Sequence, residues 1–590
     1  MAGVPADHHI EEHDTDDEIT EKLRRQGVKL GWQSLSPRVF WPALVLVLAV
    51  VAFAVIVPTG TGTVFGEIQT WIVKELGWYY VLLVAGFVVF AIIVGMSRLG
   101  TITLGRDGEK PEYSTMSWFS MLFAAGMGIG LVFYGVAEPL SYATVASKPG
   151  WSTDQAETAG MSMAQTFIHW GLHPWAIYAV IGLALAYAVH RRGRPVSIRW
   201  ALEPLLGNRV KGWVGDLIDV LAILGTVFGV ATSLGLGVQQ IAAGLNAVGL
   251  VADATSEWLL IGLIVVITFI ATMSVVSGIG AGIKWLSNIN LSLASVLLAS
   301  VLVLGPTLFI LRNFVESLGF YFGNLFQMTF DVGAFHGETG QAWFQDWTIF
   351  YWGWWISWAP FVGVFIARIS RGRTVREFIA GVLLAPTVVG FVWFSVMGGA
   401  GLFRQFFDSP DQRLVADGAE SIDAPSTLFT VLEGLPLGQV FSVLAIIVIA
   451  LFFITSSDSG SLVVDMLASG GHPNPPTWSR VLWSIIEGAV AISLLLAGGL
   501  GALQSAALAT ALPFSIVLLL MCFAIVKGLR YEYRKIQLTQ RRERLERAAD
   551  YISGGVIESL PEDPRVRIYV DDRIDYRLSR TEGAFTRRKP

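Results

Sequence analysis

One cysteine, Cys522, stands in 590 residues, which excludes an intramolecular disulfide and any metal or redox centre built from several thiolates. It lies in an apolar run and reads as a small core or lipid-facing residue. Charge is scarce too, at 15% of residues against 53% hydrophobic. The net charge of −5 says little about partners, because the charges sit in tails and loops where sidedness matters more than their sum. Residues 1–35 are polar and acidic, without a basic segment followed by a short apolar core, so no cleavable signal peptide is expected. No P-loop lysine follows the glycine-rich stretch at 126–130. His169 and His173 lack the glutamate after the first histidine that a zinc-protease motif needs. No polar stripe of the kind that lines a channel runs through the apolar segments.

Long apolar runs are what the chain has in abundance. Twelve of them reach the ~20 residues that span a bilayer: 39–58, 78–97, 117–140, 164–190, 214–243, 258–277, 288–311, 347–367, 378–402, 437–467, 479–499 and 503–526. Basic residues follow four of the even-numbered spans, with Arg98, Arg106 and Lys110 after the second, Arg191, Arg192 and Arg194 after the fourth, Arg368 and Arg371 after the eighth, and Lys527 and Arg530 after the twelfth. Those ends are predicted to be cytoplasmic, which places both termini there. The expected organisation is an acidic disordered tail over 1–35, a twelve-helix membrane domain over 36–526 and a cytoplasmic tail over 527–590. That last tail begins as a basic helix and is expected to turn irregular after Gly554 and Gly555. Residues 312–336 predict an amphipathic helix at the extracellular interface.

Four segments inside the spans carry chemistry. The string Asp346 to Trp355 holds four tryptophans and two further aromatics and continues inward through Trp358 and Phe361, more rings than an interfacial belt requires. Stacked π faces suit a quaternary ammonium, a diffuse cation with no N–H to donate. Gly126, Gly128 and Gly130 alternate within the third span, where they weaken a helix and predict a broken segment whose freed N–H and C=O groups could meet a carboxylate or a cation. Glycines that simply allow close packing are the competing reading. In the fourth span Tyr178 lies about 80° round an ideal helix from Trp170 and about 60° from Trp175, enough for one wall of an aromatic cage, though core packing is the better explanation of any one ring taken alone. Thr455 and Ser456 in the tenth span could ligate a small cation or merely bond back to their own helix. Glu138, Asp219, Asp458 and Glu487 are costly in a membrane and call for partners that the sequence does not name.

The string from Asp346 to Trp355, its continuation from Pro360 to Arg373, the glycine run, His169 to Tyr178 and Thr455 to Asp458 together resemble the betaine/carnitine/choline transporter family over about residues 35–530. The resemblance implies an all-α integral membrane fold of twelve transmembrane helices, LeuT-like, with spans 3–7 and 8–12 as two inverted five-helix repeats. It implies a tryptophan box of Trp170, Trp175, Tyr178 and Trp355, a substrate carboxylate near Gly126, Gly128 and Gly130, and a pathway past Trp354, Trp358 and Phe361. A sodium site would use Ala124, Met127, Phe452, Thr455 and Ser456, the first three through backbone carbonyls. A second sodium site would need two threonines; Thr226 and Phe361 are in place, but Val230 stands where the other threonine would be. Choline-transporting relatives place an acid where this chain has Gly130, so the implied substrate is a zwitterion, glycine betaine first, with ectoine or proline as alternatives. A sodium-independent exchanger of the same fold is the other alternative. Implied partners are the solute, sodium as coupling ion, membrane lipids and two further copies in a homotrimer at the plasma membrane, with no other cofactor, no nucleic acid and no enzymatic activity.

Overall fold

The computed structural model describes residue 10 and residues 14–126, 128–277, 280–559 and 564–586. Local sequence decides where its helices start. Thr15 opens α1 (Asp16–Arg25) with a capping box, its hydroxyl taking the Glu18 N–H while the Glu18 carboxylate accepts the Thr15 N–H at 2.8 Å. The expectation of disorder over 1–35 therefore fails for this segment. Ile19 and Leu23, one turn apart, are buried, and Gln26 donates to the Gly193 carbonyl at 3.0 Å. Pro37 and Pro58 occupy the first positions of α2 (Pro37–Ile56) and α3 (Pro58–Met96), where a missing N–H leaves nothing unsatisfied.

The expected third span is two helices, α4 (Thr115–Gly126) and α5 (Ile129–Ala143), with Gly128 in extended backbone as the N-cap of α5. The fourth is also interrupted: Gly171 leaves the helical region between α6 (Gln155–Trp170) and α7 (Leu172–Ala186). There follow α8 (Trp213–Ala247), α9 (Glu257–Ser277), α10 (Gly280–Leu304), α11 (Thr307–Phe330), α12 (Phe350–Ile369), α13 (Val375–Phe407), α14 (Ala424–Glu433), α15 (Gly438–Ala468), α16 (Thr477–Ser559) and α17 (Pro564–Thr586). Within α16 the chain is broken at Gly498 and Gly499, the latter at φ 65°, a conformation open to glycine.

Nine helices among the described residues are long and apolar enough to cross a membrane, or ten if the pair Asn288–Leu304 and Thr307–Phe330, bent by 106°, counts as one. The difference from twelve has identifiable sources. α4 and α5 are 12 and 15 residues long, each too short alone, and the eleventh and twelfth expected spans fall within the single element α16. The helix expected near 312–336 is α11, whose buried Ile310, Ser317, Tyr321 and Met328 recur at helical spacing while Phe322 and Phe326 point outward.

Burial separates centre from rim. The segment Gly337–Ile369, which contains α12, is 94% buried over its most apolar stretch, against 33% for Pro37–Ile56. Around α12 pack α7 and α8; α8 in turn packs on α15, and α13 on α5 and α7. The membrane unit runs to Val526, and Lys527–Pro590 forms a second compact unit. That unit is helical through Ser559 and again over Pro564–Thr586, so the expected irregularity after Gly554 is not found in the described residues.

Candidate functional site

Glu138 lies on α5 just before Pro139, with its carboxyl wholly enclosed. It accepts from Tyr142 OH (3.0 Å) and His169 Nδ1 (2.8 Å) on Oε1, and from Trp170 Nε1 (2.6 Å) and Tyr351 OH (2.5 Å) on Oε2. Four donors fill the acceptor capacity of a carboxylate. With Nδ1 donating, the hydrogen-bond network assigns His169 an Nε2 that accepts, from Thr348 Oγ1 and Gln165 Nε2, both at 3.0 Å. These bonds join α5, α6 and α12 at one point. His173 has different partners, Thr329 Oγ1 at 3.1 Å and the stacked ring of Trp352.

The network sets the aromatic box. Trp170 is held by Glu138, and Trp355 by donation of its Nε1 to the His169 carbonyl at 3.0 Å. The two rings meet edge to face, centroids 4.9 Å apart at 73°, and Trp354 stacks behind Trp355 at 4.6 Å and 15°. Beyond the break at Gly171, Trp175 and Tyr178 form a second edge-to-face pair at 5.5 Å. Trp170, Trp175, Tyr178 and Trp355 all line one cavity, closed by Leu131, Pro174, Pro386 and Gly390. The ideal-helix angles expected between these rings do not apply, because the chain bends between Trp170 and Trp175; the rings converge nonetheless. Among the described residues no charged side chain lines the cavity, and the hydroxyl of Tyr178, one of its walls, has no hydrogen-bond partner.

The glycines make room for rings. Neither Gly128 nor Gly130 lines the cavity, and Leu131 of the same first turn does. A Cβ on Gly128 would lie 3.0 Å from the Trp358 ring, and one on Gly130 would lie 3.0 Å from Trp170 and overlap Trp354. These positions seat indoles. Gly126 is described as the last residue of α4. Trp354, Trp358 and Phe361 likewise lie outside the cavity lining, Trp358 meeting Phe361 edge to face at 5.4 Å. Gly130→Ala is expected to overpack this corner by about 1–3 kcal/mol, read as a lower thermal unfolding midpoint and weaker solute affinity, and an unchanged affinity would free the box from this contact.

The candidate cation ligands divide between described and undescribed residues. Phe452 and Ser456 are buried on α15, which packs against α5. The Thr455 hydroxyl donates to the Leu451 carbonyl at 2.8 Å and to that of Phe452 at 3.2 Å, which leaves its own lone pairs free to coordinate. Ala124 is within α4, and Met127 lies outside the described residues. Thr226 bonds back to the Ala222 carbonyl at 2.8 Å, and Val230 packs against Gly460.

An ion pair between a buried lysine and a part-exposed aspartate stands next to the network. Lys148 Nζ is 2.9 Å from Asp331 and 3.4 Å from Gln165 Oε1, and it sits over the rings of Trp343 and Phe344 at 4.9 and 4.7 Å. Burial lowers the Lys148 pKa from the usual lysine value in spite of Asp331. Asp331→Asn would strand that ammonium, whereas Lys148→Met removes the charge and keeps the stem on the rings. Thermal unfolding should fall further for Asp331→Asn than for Lys148→Met, and the reverse order would show that the pair contributes through Lys148 packing alone.

Residues 38–534 match the sequence profile described as BCCT, betaine/carnitine/choline family transporter. An uncharacterised transporter of Mycobacterium tuberculosis is 51% identical over 505 residues, covering 85% of this chain and 84% of its own. The glycine betaine transporter OpuD of Bacillus subtilis is 44% identical over 506 residues, 86% of this chain and 97% of its own. A glycine betaine/proline/choline transporter of Vibrio parahaemolyticus is 43% identical over 491 residues, 80% and 86% of the two chains.

Proposed function

This chain belongs to the betaine/carnitine/choline transporter family, and from that premise we propose that it is a sodium-coupled symporter taking up glycine betaine across the plasma membrane by alternating access. It is a multi-pass membrane transporter and not an enzyme. The observation that carries the substrate reading is the cavity itself, four rings and no charged side chain. Each cation–π contact with a trimethylammonium group contributes ~0.5–2 kcal/mol, so several desolvated faces supply affinity without a counter-charge. The carboxylate end would turn to the Tyr178 hydroxyl and to the positive N-terminal end of α5, whose first turn brings Leu131 to the cavity.

Coupling would come from sodium held between α15 and the α4–α5 break, by Thr455, Ser456 and the carbonyls of Ala124, Met127 and Phe452. The hydroxyls of Thr455 and Ser456 suit a small hard cation, and Thr226 alone, without an oxygen at Val230, makes a second site weaker. The same reading places both termini in the cytoplasm, makes α4 with α5 a single broken span and α16 two, and arranges twelve spans as two inverted repeats in a homotrimer. The glycines enter the mechanism through the indoles they seat. Labelled glycine betaine uptake in cells expressing the full chain tests the substrate: glycine betaine should compete far better than choline, ectoine or proline. Equal competition by choline would reject a zwitterion-selective site.

A further inference from the structure

Glu487 has no part in the solute cavity or in the candidate sodium ligands. It lies on α16 one face with Arg480 and Ser484, at positions i, i+4 and i+7. That face meets hydroxyls from two other helices. Ser484 Oγ is 3.0 Å from Thr272 Oγ1 of α9, and Ser457 Oγ of α15 donates to Glu487 Oε2 at 3.2 Å. Arg480 Nη2 donates to Asp458 Oδ1 at 2.7 Å, and Ser274 Oγ to Asp458 Oδ2 at 3.0 Å. Side-chain exposure falls along this polar seam from 16% at Arg480 to 2% at Asp458, and Glu487 is fully enclosed. The seven residues from Arg480 to Glu487 carry it about 10 Å along the helix axis.

The closed end of the seam is chemically incomplete. Glu487 Oε1 has no hydrogen-bond partner among the described residues, and neither has Thr268 Oγ1, which lies against the adjoining Gly488. The facing helix α15 presents one charged group, Asp458, which is bonded to Arg480 of α16 itself; α8 offers Val230, and α9 offers Thr268, Thr272 and Ser274. An ionised Glu487 would place a full charge against Val230 and Gly460 with one neutral hydrogen bond to hold it. A carboxylic acid there is accommodated. Polar strips of acids and hydroxyls inside a membrane domain commonly carry protons.

We propose that Glu487 is a proton-binding site at the blind end of this seam, loaded from the side where Arg480 opens, and that its proton occupancy sets the rate of transport. The link to transport is mechanical. Glu487 touches the α8–α15 contact at Val230 and Gly460, and those two helices carry Thr226, Thr455 and Ser456. A charge appearing there would spread the helices whose spacing any cation site between them needs.

The experiment uses the full chain in liposomes with the sodium gradient fixed and the pH equal on both sides. The wild-type rate of glycine betaine uptake should fall as pH rises, by up to about tenfold per unit once the acid form is the minority. Glu487→Gln, permanently neutral, should be flat across the same range. The infrared carbonyl-stretch band of a protonated buried carboxyl should be present in the wild type and missing from Glu487→Gln, a reading that needs no substrate. Absence of betaine uptake with that band difference intact would reject the proposed function and leave the proton site standing. A wild-type rate independent of pH, or identical infrared spectra for the two proteins, overturns it, and neither depends on how well the variant transports.

Discussion

Glu138→Ala should reduce solute affinity by at least tenfold, roughly 1.4 kcal/mol, and lower the unfolding temperature, while Glu138→Gln keeps most of both. Alanine leaves four enclosed donors without their acceptor, each a desolvation penalty of ~1–3 kcal/mol, partly relieved by rearrangement. Glutamine can satisfy the site. Its carbonyl in the place of Oε2 still accepts from Trp170, whose indole can only donate, and from Tyr351. Its amide in the place of Oε1 donates to the Tyr142 oxygen and to His169 in its other tautomer. Solute binding and thermal unfolding of the two variants check this. Equal losses would mean that charge, and not hydrogen-bond supply, is what the network needs.

Trp355→Ala should weaken apparent affinity by at least about tenfold, and Trp355→Phe by less, because a smaller ring keeps part of the π surface facing Trp170. Both variants lose the bond to the His169 carbonyl, so that term cancels between them. Thermal unfolding separates recognition from packing. Affinity losses that simply follow the losses of stability, with no difference between alanine and phenylalanine, would make Trp355 a core residue.

That Trp170, Trp175, Tyr178 and Trp355 line one cavity was legible because such a concentration of large rings is rare in a bilayer-length segment. What positions them was not. Glu138 was visible as a misplaced charge, but its partners come from other helices, with Trp170 32 residues away and Tyr351 213, and no local pattern links them. Gly130 is a different case. Alternate glycines correctly signalled a break, but a glycine that admits a ligand and one that admits an indole look alike in sequence, and here Trp354 occupies the space. An acid introduced by Gly130→Asp must first displace Trp354 and Trp170, so it disturbs the box before it can offer choline a counter-charge. The first tail misled through composition, since acidic residues hide the Ile19 and Leu23 pair that lets α1 dock.

The central claim is that a solute held by rings moves with sodium held by Thr455 and Ser456. Its most direct test is uptake of labelled glycine betaine by the purified full chain in sealed liposomes, with sodium outside only, with equal sodium on both sides, and with none. The account predicts accumulation above the external concentration in the first condition, equilibration at most in the second and little entry in the third, with Thr455→Ala shifting the sodium dependence to higher concentration. Accumulation or exchange at the same rate without sodium would contradict it.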